Sequence, residues 1–233
     1  MSTPTSNNTI KDLRTTGYVL RRTNYGEADR ILNLITPQGK FTVMAKGVRK
    51  SRSKLAGGIE MFTLSDYNIH FGRGDFGTLT GATMLTHHSN IIKDLARMEL
   101  AALILKKISL ASESSDSPNY FHIVDQSLTS LNHQIDIRLI EAWFWLNLIK
   151  TTGEEINLYR DLAGTKLSPD QLYDWNIAEA CFSPTPTGTY NADDIKLLRL
   201  LTTTDLTLCT RIKLTDDSQL SQTLQFSHII AKF

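Results

Sequence analysis

The sequence predicts an α+β protein of two domains, a five-stranded β-barrel followed by an all-α helical domain. Three observations predict it. Short strand-like runs separated by turn residues fill residues 17–86, and apolar residues at helical spacing replace them beyond His88. The charge divides at the same place. Residues 1–85 hold twelve Lys/Arg against six Asp/Glu, whereas residues 86–233 hold thirteen against eighteen. A basic domain therefore leads into an acidic one, and charged partners respond to these local fields more than to the net charge of +1. The expected organisation is a flexible polar tail over 1–14, the barrel over 15–86 and the helical domain over 87–233.

Five runs carry the barrel: 18–23, 30–36, 40–46, 61–71 and 78–85. The second and third are joined by Pro37-Gln38-Gly39, where Pro presets φ and Gly tolerates a positive φ, so they form a hairpin. In the third run Phe41, Val43 and Ala45 alternate with Thr42, Met44 and Lys46, as a strand with one buried face requires. Five strands in so short a span suit an OB-type barrel.

In the second half, Leu95, Met98, Ala102 and Leu105 share one face of a helix over 91–111. Pro118 falls at a first helical position with Ser117 as its cap, and Phe121, Val124, Leu128 and Leu131 form the next stripe. Residues 137–151 are apolar on nearly every side, with Trp143, Phe144 and Trp145 in a row, which predicts the buried central helix ended by Gly153. Asn191 with Asp194 reads as a capped start to a helix over 195–201. Thr215 caps the last helix, whose apolar face is Phe226, Ile229, Ile230 and Phe233.

Several function classes are excluded on residue chemistry. No apolar run approaches the roughly 18 residues a membrane helix needs, and residues 1–10 lack a signal peptide's basic start and apolar run. Cys181 and Cys209 do not form a C-x-x-C pair, so a reducing cytoplasm is the expected compartment. His87, His88 and the scattered histidines have no Cys or Asp partner at metal-ligand spacing. Walker A, G-x-S-x-G and H-E-x-x-H motifs are missing, so the chain is not expected to be an enzyme and no cofactor is expected. Gly72-Arg73-Gly74-Asp75-Phe76-Gly77 fits G-x-G-x-x-G by letter, but residues 78–83 read as a strand where a dinucleotide site needs a helix. The glycines are expected to build a hairpin loop.

The segment 45–54, Ala-Lys-Gly-Val-Arg-Lys-Ser-Arg-Ser-Lys, carries five basic residues and no acidic one directly after a strand. Its plainer reading is a solvated loop. Its functional reading is that Lys46, Arg49, Lys50, Arg52 and Lys54 neutralise phosphates, with Ser51 and Ser53 donating to phosphate oxygens. Barrels of this type bind single strands by stacking bases on aromatic rings while cations track the backbone. Tyr18, Tyr25, Phe41, Phe62, Tyr67, Phe71 and Phe76 are the candidate rings, most of them expected in the core. Phosphate binding does not distinguish DNA from RNA. An RNA-binding or ribosome-associated barrel is one alternative, and an adaptor that docks proteins through its helices is another.

Tyr25-Gly26-Glu27-Ala28-Asp29-Arg30-Ile31-Leu32, Thr36-Pro37, Gly39-Lys40, Ala45-Lys46-Gly47-Val48-Arg49, Ser53-Lys54-Leu55-Ala56-Gly57-Gly58 and Phe62 resemble, in order and spacing, the N-terminal domain of the RecO family. The resemblance covers about a third of the chain. It implies a recombinational-repair mediator that binds single- and double-stranded DNA and anneals complementary strands. It further implies contact with the tail of single-strand DNA-binding protein and, together with RecR, loading of RecA in a cytoplasmic, nucleoid-associated setting. The nucleic-acid residues so implied are Arg30, Lys40, Lys46, Arg49, Lys50, Arg52, Lys54 and Arg73, and Lys107 and Arg138 are candidates for holding the acidic tail. Many members carry a four-cysteine zinc element, but residues 159–164 here contain no cysteine, so no metal is expected. Apolar packing of Leu158, Leu162, Leu167 and Leu172 is the expected substitute.

Overall fold

The computed structural model describes residues 12–72, 76–115, 117, 119–153, 156–211 and 217–231. Residues 1–11 of the expected 1–14 tail, Pro118, Thr215 and Phe233 lie outside them, and residues 12–14 are not tail but the start of the first strand. The chain divides into two compact units, one of residues 1–89 with 105–122, the other of residues 90–104 with 123–233.

The first unit is a closed five-stranded barrel built from β1 (Asp12–Tyr25), β2 (Asp29–Thr36), β3 (Gly39–Ala45), β4 (Thr63–His70) and β5 (Gly77–His87), in the order β1-β2-β3-β5-β4. All pairings are antiparallel except the β3–β5 seam, where Val43 faces Gly77 and Met44 faces Thr78 in parallel. Gly77 is crowded from both flanking strands, with the Val43 side chain of β3 3.3 Å from where a Cβ would stand. A Cβ at Gly77 would lie 2.5 Å from the Ile69 side chain. At the β2–β3 turn, Gly39 has φ +115°, and the Thr36 hydroxyl donates to Gly39 O at 2.9 Å. The alternation in β3 is as the sequence predicts. Val43 and Ala45 are fully buried with Val19, Leu32, Leu34, Tyr67, Ile69 and Leu79, while Thr42 and Met44 are partly exposed. Because β5 is a strand, the glycine motif before it has no helix to present to a pyrophosphate.

The second unit contains α3 (Ile137–Thr151), the buried central helix, whose Trp143 indole donates to Thr204 O at 2.9 Å. Asp136 caps its start, and Gly153 follows its end with φ +85°. Asn191 and Asp194 form a reciprocal capping box at the start of α4 (Ala192–Thr203). The last helices are α5 (Leu206–Cys209) and α6 (Asp217–Ile230). Helix α1 (Leu95–Ser114) continues from this unit into the first, and α2 (Asn119–Asn132) from the first into this one.

Three expectations are corrected. The buried face of α1 runs through Leu100, Ala101, Ile104, Leu105 and Ile108, not Leu95, Met98 and Ala102, which are exposed. This helix is apolar on several sides, so spacing alone does not select one. Next, the helical half also holds a small sheet of order β6-β8-β7, from β6 (Asn157–Asp161), β7 (Tyr173–Asn176) and β8 (Cys181–Pro184). These strands are four or five residues long and too short for alternation to announce them. Finally, Leu162 and Leu172 are exposed, and of the four expected leucines only Leu158 is deeply buried. The packing there comes from aromatic rings. Phe182 lies 5.1 Å from Trp175, 5.5 Å from Tyr190, 5.9 Å from Phe226 and 6.2 Å from Tyr173, centroid to centroid.

Candidate nucleic-acid interface

The basic loop leaves β3 at Lys46 and is pinned to the barrel at four points. Asp29, opening β2, accepts the Gly47 N–H at 2.7 Å, and Gly47 takes φ +65°, a conformation that suits glycine. Val48 turns inward and is only 4% exposed within the barrel core. Arg49 N–H donates to Ala28 O at 2.9 Å, and the Arg49 guanidinium donates to Gly26 O at 3.1 Å. Farther along, Ile59 enters the same core, and Tyr67 OH donates to Gly58 O at 3.1 Å. A Cβ at Gly58 would lie 2.6 Å from the Ala82 backbone, so only glycine permits this approach.

These anchors decide where the charge goes. A single apolar residue among five cations looks incidental in sequence, yet burying it contributes roughly 1.5–3 kcal/mol and forces its neighbours outward. Lys46, Arg49, Lys50, Arg52 and Lys54 are all exposed. The other cations of the barrel behave differently. Arg14 pairs with Asp66 at 2.6 Å and Arg22 with Glu60 at 2.8 Å. Among the described residues, none of the five loop cations has a carboxylate partner.

The remaining expected residues are dispersed. Lys40 is not part of this surface. Its ammonium reaches Ser109 O at 3.3 Å and Glu113 at 3.8 Å, with its side chain only 15% exposed. Arg30 is half-buried and donates from Nε to Asn24 Oδ1 at 3.1 Å, its cross-strand neighbour. Arg73 lies outside the described residues. Lys107 is half-buried on α1 in the first unit. In the second unit, Arg138 is engaged with Asp136 at 2.8 Å and through Nη1 with Asp217 at 2.9 Å, and both carboxyls are held below the usual range by its hydrogen bonds.

Sequence reading missed Val48 as a positioning residue and gave Asp29 no link to Gly47. The only signals were an apolar residue inside a charged run and an acid at a strand start. Asp29→Ala is therefore expected to destabilise the first unit by about 1.5–3 kcal/mol, the worth of a hydrogen bond to a charged group, whereas Asp29→Asn, which keeps an acceptor, retains most of that stability. Arg30→Ala should leave the melting temperature nearly unchanged. Paired thermal melts check all three, and equal stability of the Ala and Asn variants would refute the capping role.

Among the described residues no three His, Cys, Asp or Glu side chains cluster as metal ligands, and no helix is long and apolar enough to cross a membrane. Burial pushes the Cys209 thiol up to about 11 and also raises that of Cys181, so neither is a ready thiolate.

The architecture is that of an OB-fold domain with a basic loop, followed by a mainly helical unit. Residues 10–88 match the family model described as the N-terminal domain of recombination protein O. A DNA repair protein RecO of Dehalococcoides mccartyi is 31% identical over 144 residues, covering 61% of this chain and 56% of the relative. One from Roseiflexus is 32% identical over 147 residues, covering 63% and 52%, and one from Listeria monocytogenes is 28% identical over 139 residues, covering 59% and 54%. The matches span about half the length of these relatives. Over the matched residues the chain is similar to the RecO family.

Proposed function

We propose that this protein is a non-catalytic mediator of recombinational DNA repair that binds single-stranded, and also double-stranded, DNA through the loop at 46–54 and anneals complementary strands. One observation carries the reading: five exposed cations on a rigidly anchored loop have no carboxylate partner among the described residues, while Arg14, Arg22 and Lys40 of the same barrel do. Unpaired cations held in one place release condensed counterions when they meet phosphates, which favours binding. The names of the relatives support repair as the setting. Partnership with RecR, the tail of single-strand DNA-binding protein and, indirectly, RecA is what the similarity to RecO supports. A tail carboxylate reaching Arg138 would compete with Asp136 and Asp217 for the guanidinium.

Annealing of complementary strands, with and without cognate single-strand DNA-binding protein, is the direct test. Faster annealing than the spontaneous rate in both conditions is expected. No binding to single-stranded DNA at low salt would overturn the proposal, and tighter binding to RNA of the same sequence would favour the RNA-binding alternative.

A further inference from the structure

Seven aromatic residues stand in or beside the barrel strands, and the fold treats them unequally. Tyr18, Phe62 and Tyr67 are buried, at 1%, 8% and 0% exposure. Phe41 and Phe71 pack on each other at 5.7 Å and against the core. Only Tyr25 and Phe76 are more than half exposed. Their surroundings differ. Tyr25 is the last residue of β1 and faces Asp29 across the hairpin. The next residue, Gly26, offers the carbonyl that holds the Arg49 guanidinium, and Ala28 accepts the Arg49 N–H. The turn bearing the exposed ring is therefore fastened to the loop bearing the charge. No such bond links Phe76 to the loop among the described residues.

A ring this exposed at a hairpin end contributes little to the barrel core, and its place one residue before the carbonyl that holds the Arg49 guanidinium suits one ligand. A single strand presents alternating phosphates and unpaired base faces, and a ring next to a guanidinium meets both at once. Resting on the reading of the loop as a phosphate-binding element, we propose that Tyr25 is a base-stacking residue: an unpaired base lies on its ring while Arg49 and its loop neighbours hold the adjoining phosphates. Duplex DNA, whose bases are already stacked on one another, gains nothing from this ring.

Stacking and phosphate contact differ in salt dependence, which makes the roles separable. Binding of Tyr25→Ala, Tyr25→Trp and an Arg49/Lys50/Arg52 triple alanine variant is measured by fluorescence anisotropy at several salt concentrations. The probes are a short oligodeoxythymidine and an abasic strand of the same length. For Tyr25→Ala, about a ten-fold loss on oligodeoxythymidine is expected, with the salt slope and abasic-strand affinity of the wild type. Tyr25→Trp should bind as wild type or more tightly. Unchanged oligodeoxythymidine binding by Tyr25→Ala, or an equal loss on both strands, overturns the stacking role. Failure of the loop reading shows separately, as a triple variant whose slope and affinity match the wild type.

Discussion

Replacing Arg49, Lys50 and Arg52 together by alanine is expected to reduce the magnitude of the log–log salt slope for single-stranded DNA by about 2, from a wild-type value near −3.5 if all five loop cations meet phosphates. The expectation depends on where these side chains stand. Each is exposed, and their removal leaves three of the four anchors of the loop, since Val48 remains in the core, Asp29 still accepts from Gly47 and the Arg49 N–H still donates to Ala28 O. The Arg49 contact to Gly26 O is lost, but it is solvent-exposed, so the melting temperature should shift little. Affinity should therefore fall steeply at low salt and much less at high salt, where screening already weakens the wild type. Anisotropy titrations at several salt concentrations check this. A slope and affinity equal to the wild type would show that the loop is solvated surface and nothing more.

Phe182→Ala is expected to destabilise the second unit by about 3–5 kcal/mol, the usual cost of deleting a core phenyl ring. Phe182 is fully buried on β8 and meets Tyr173, Trp175, Tyr190 and Phe226, with Phe226 stacked on it and the other three edge-on. Edge-to-face and stacked pairs add about 0.5–1.5 kcal/mol each beyond area burial, so an unfilled cavity here removes several favourable contacts together. Leu162→Ala serves as the control. That side chain is 56% exposed, and its loss should change stability by less than about 0.5 kcal/mol. Urea unfolding of both variants measures the difference. The same region is expected to fold without metal, so a chelator should leave the wild-type curve in place. A stoichiometric zinc per chain, or equal effects of the two substitutions, would refute the aromatic cluster as the organising element.

Local patterns in the sequence determine much of this protein. The alternation of β3, the Pro37-Gln38-Gly39 turn, the Asn191–Asp194 cap and the apolar run of α3 are each settled within a few residues by backbone sterics, hydrogen bonding and periodicity. The five basic residues of the loop are legible in the same way, because a charge run needs no partner to be seen. What only the tertiary structure decided depends on residues far apart. Spacing could not choose the buried face of α1, since apolar residues occupy several of its sides. Lys40 looked like its basic neighbours until a carbonyl 69 positions away took its ammonium. Phe182 and Phe226 stack although 44 positions apart, and the short strand that carries Phe182 leaves no periodic trace. Tyr25 differs from Tyr18 and Tyr67 only in what surrounds it. Burial is a property of the neighbours that folding brings together. A residue's type states what contacts it can make, and the closed barrel and the ring cluster determine which of those contacts are made.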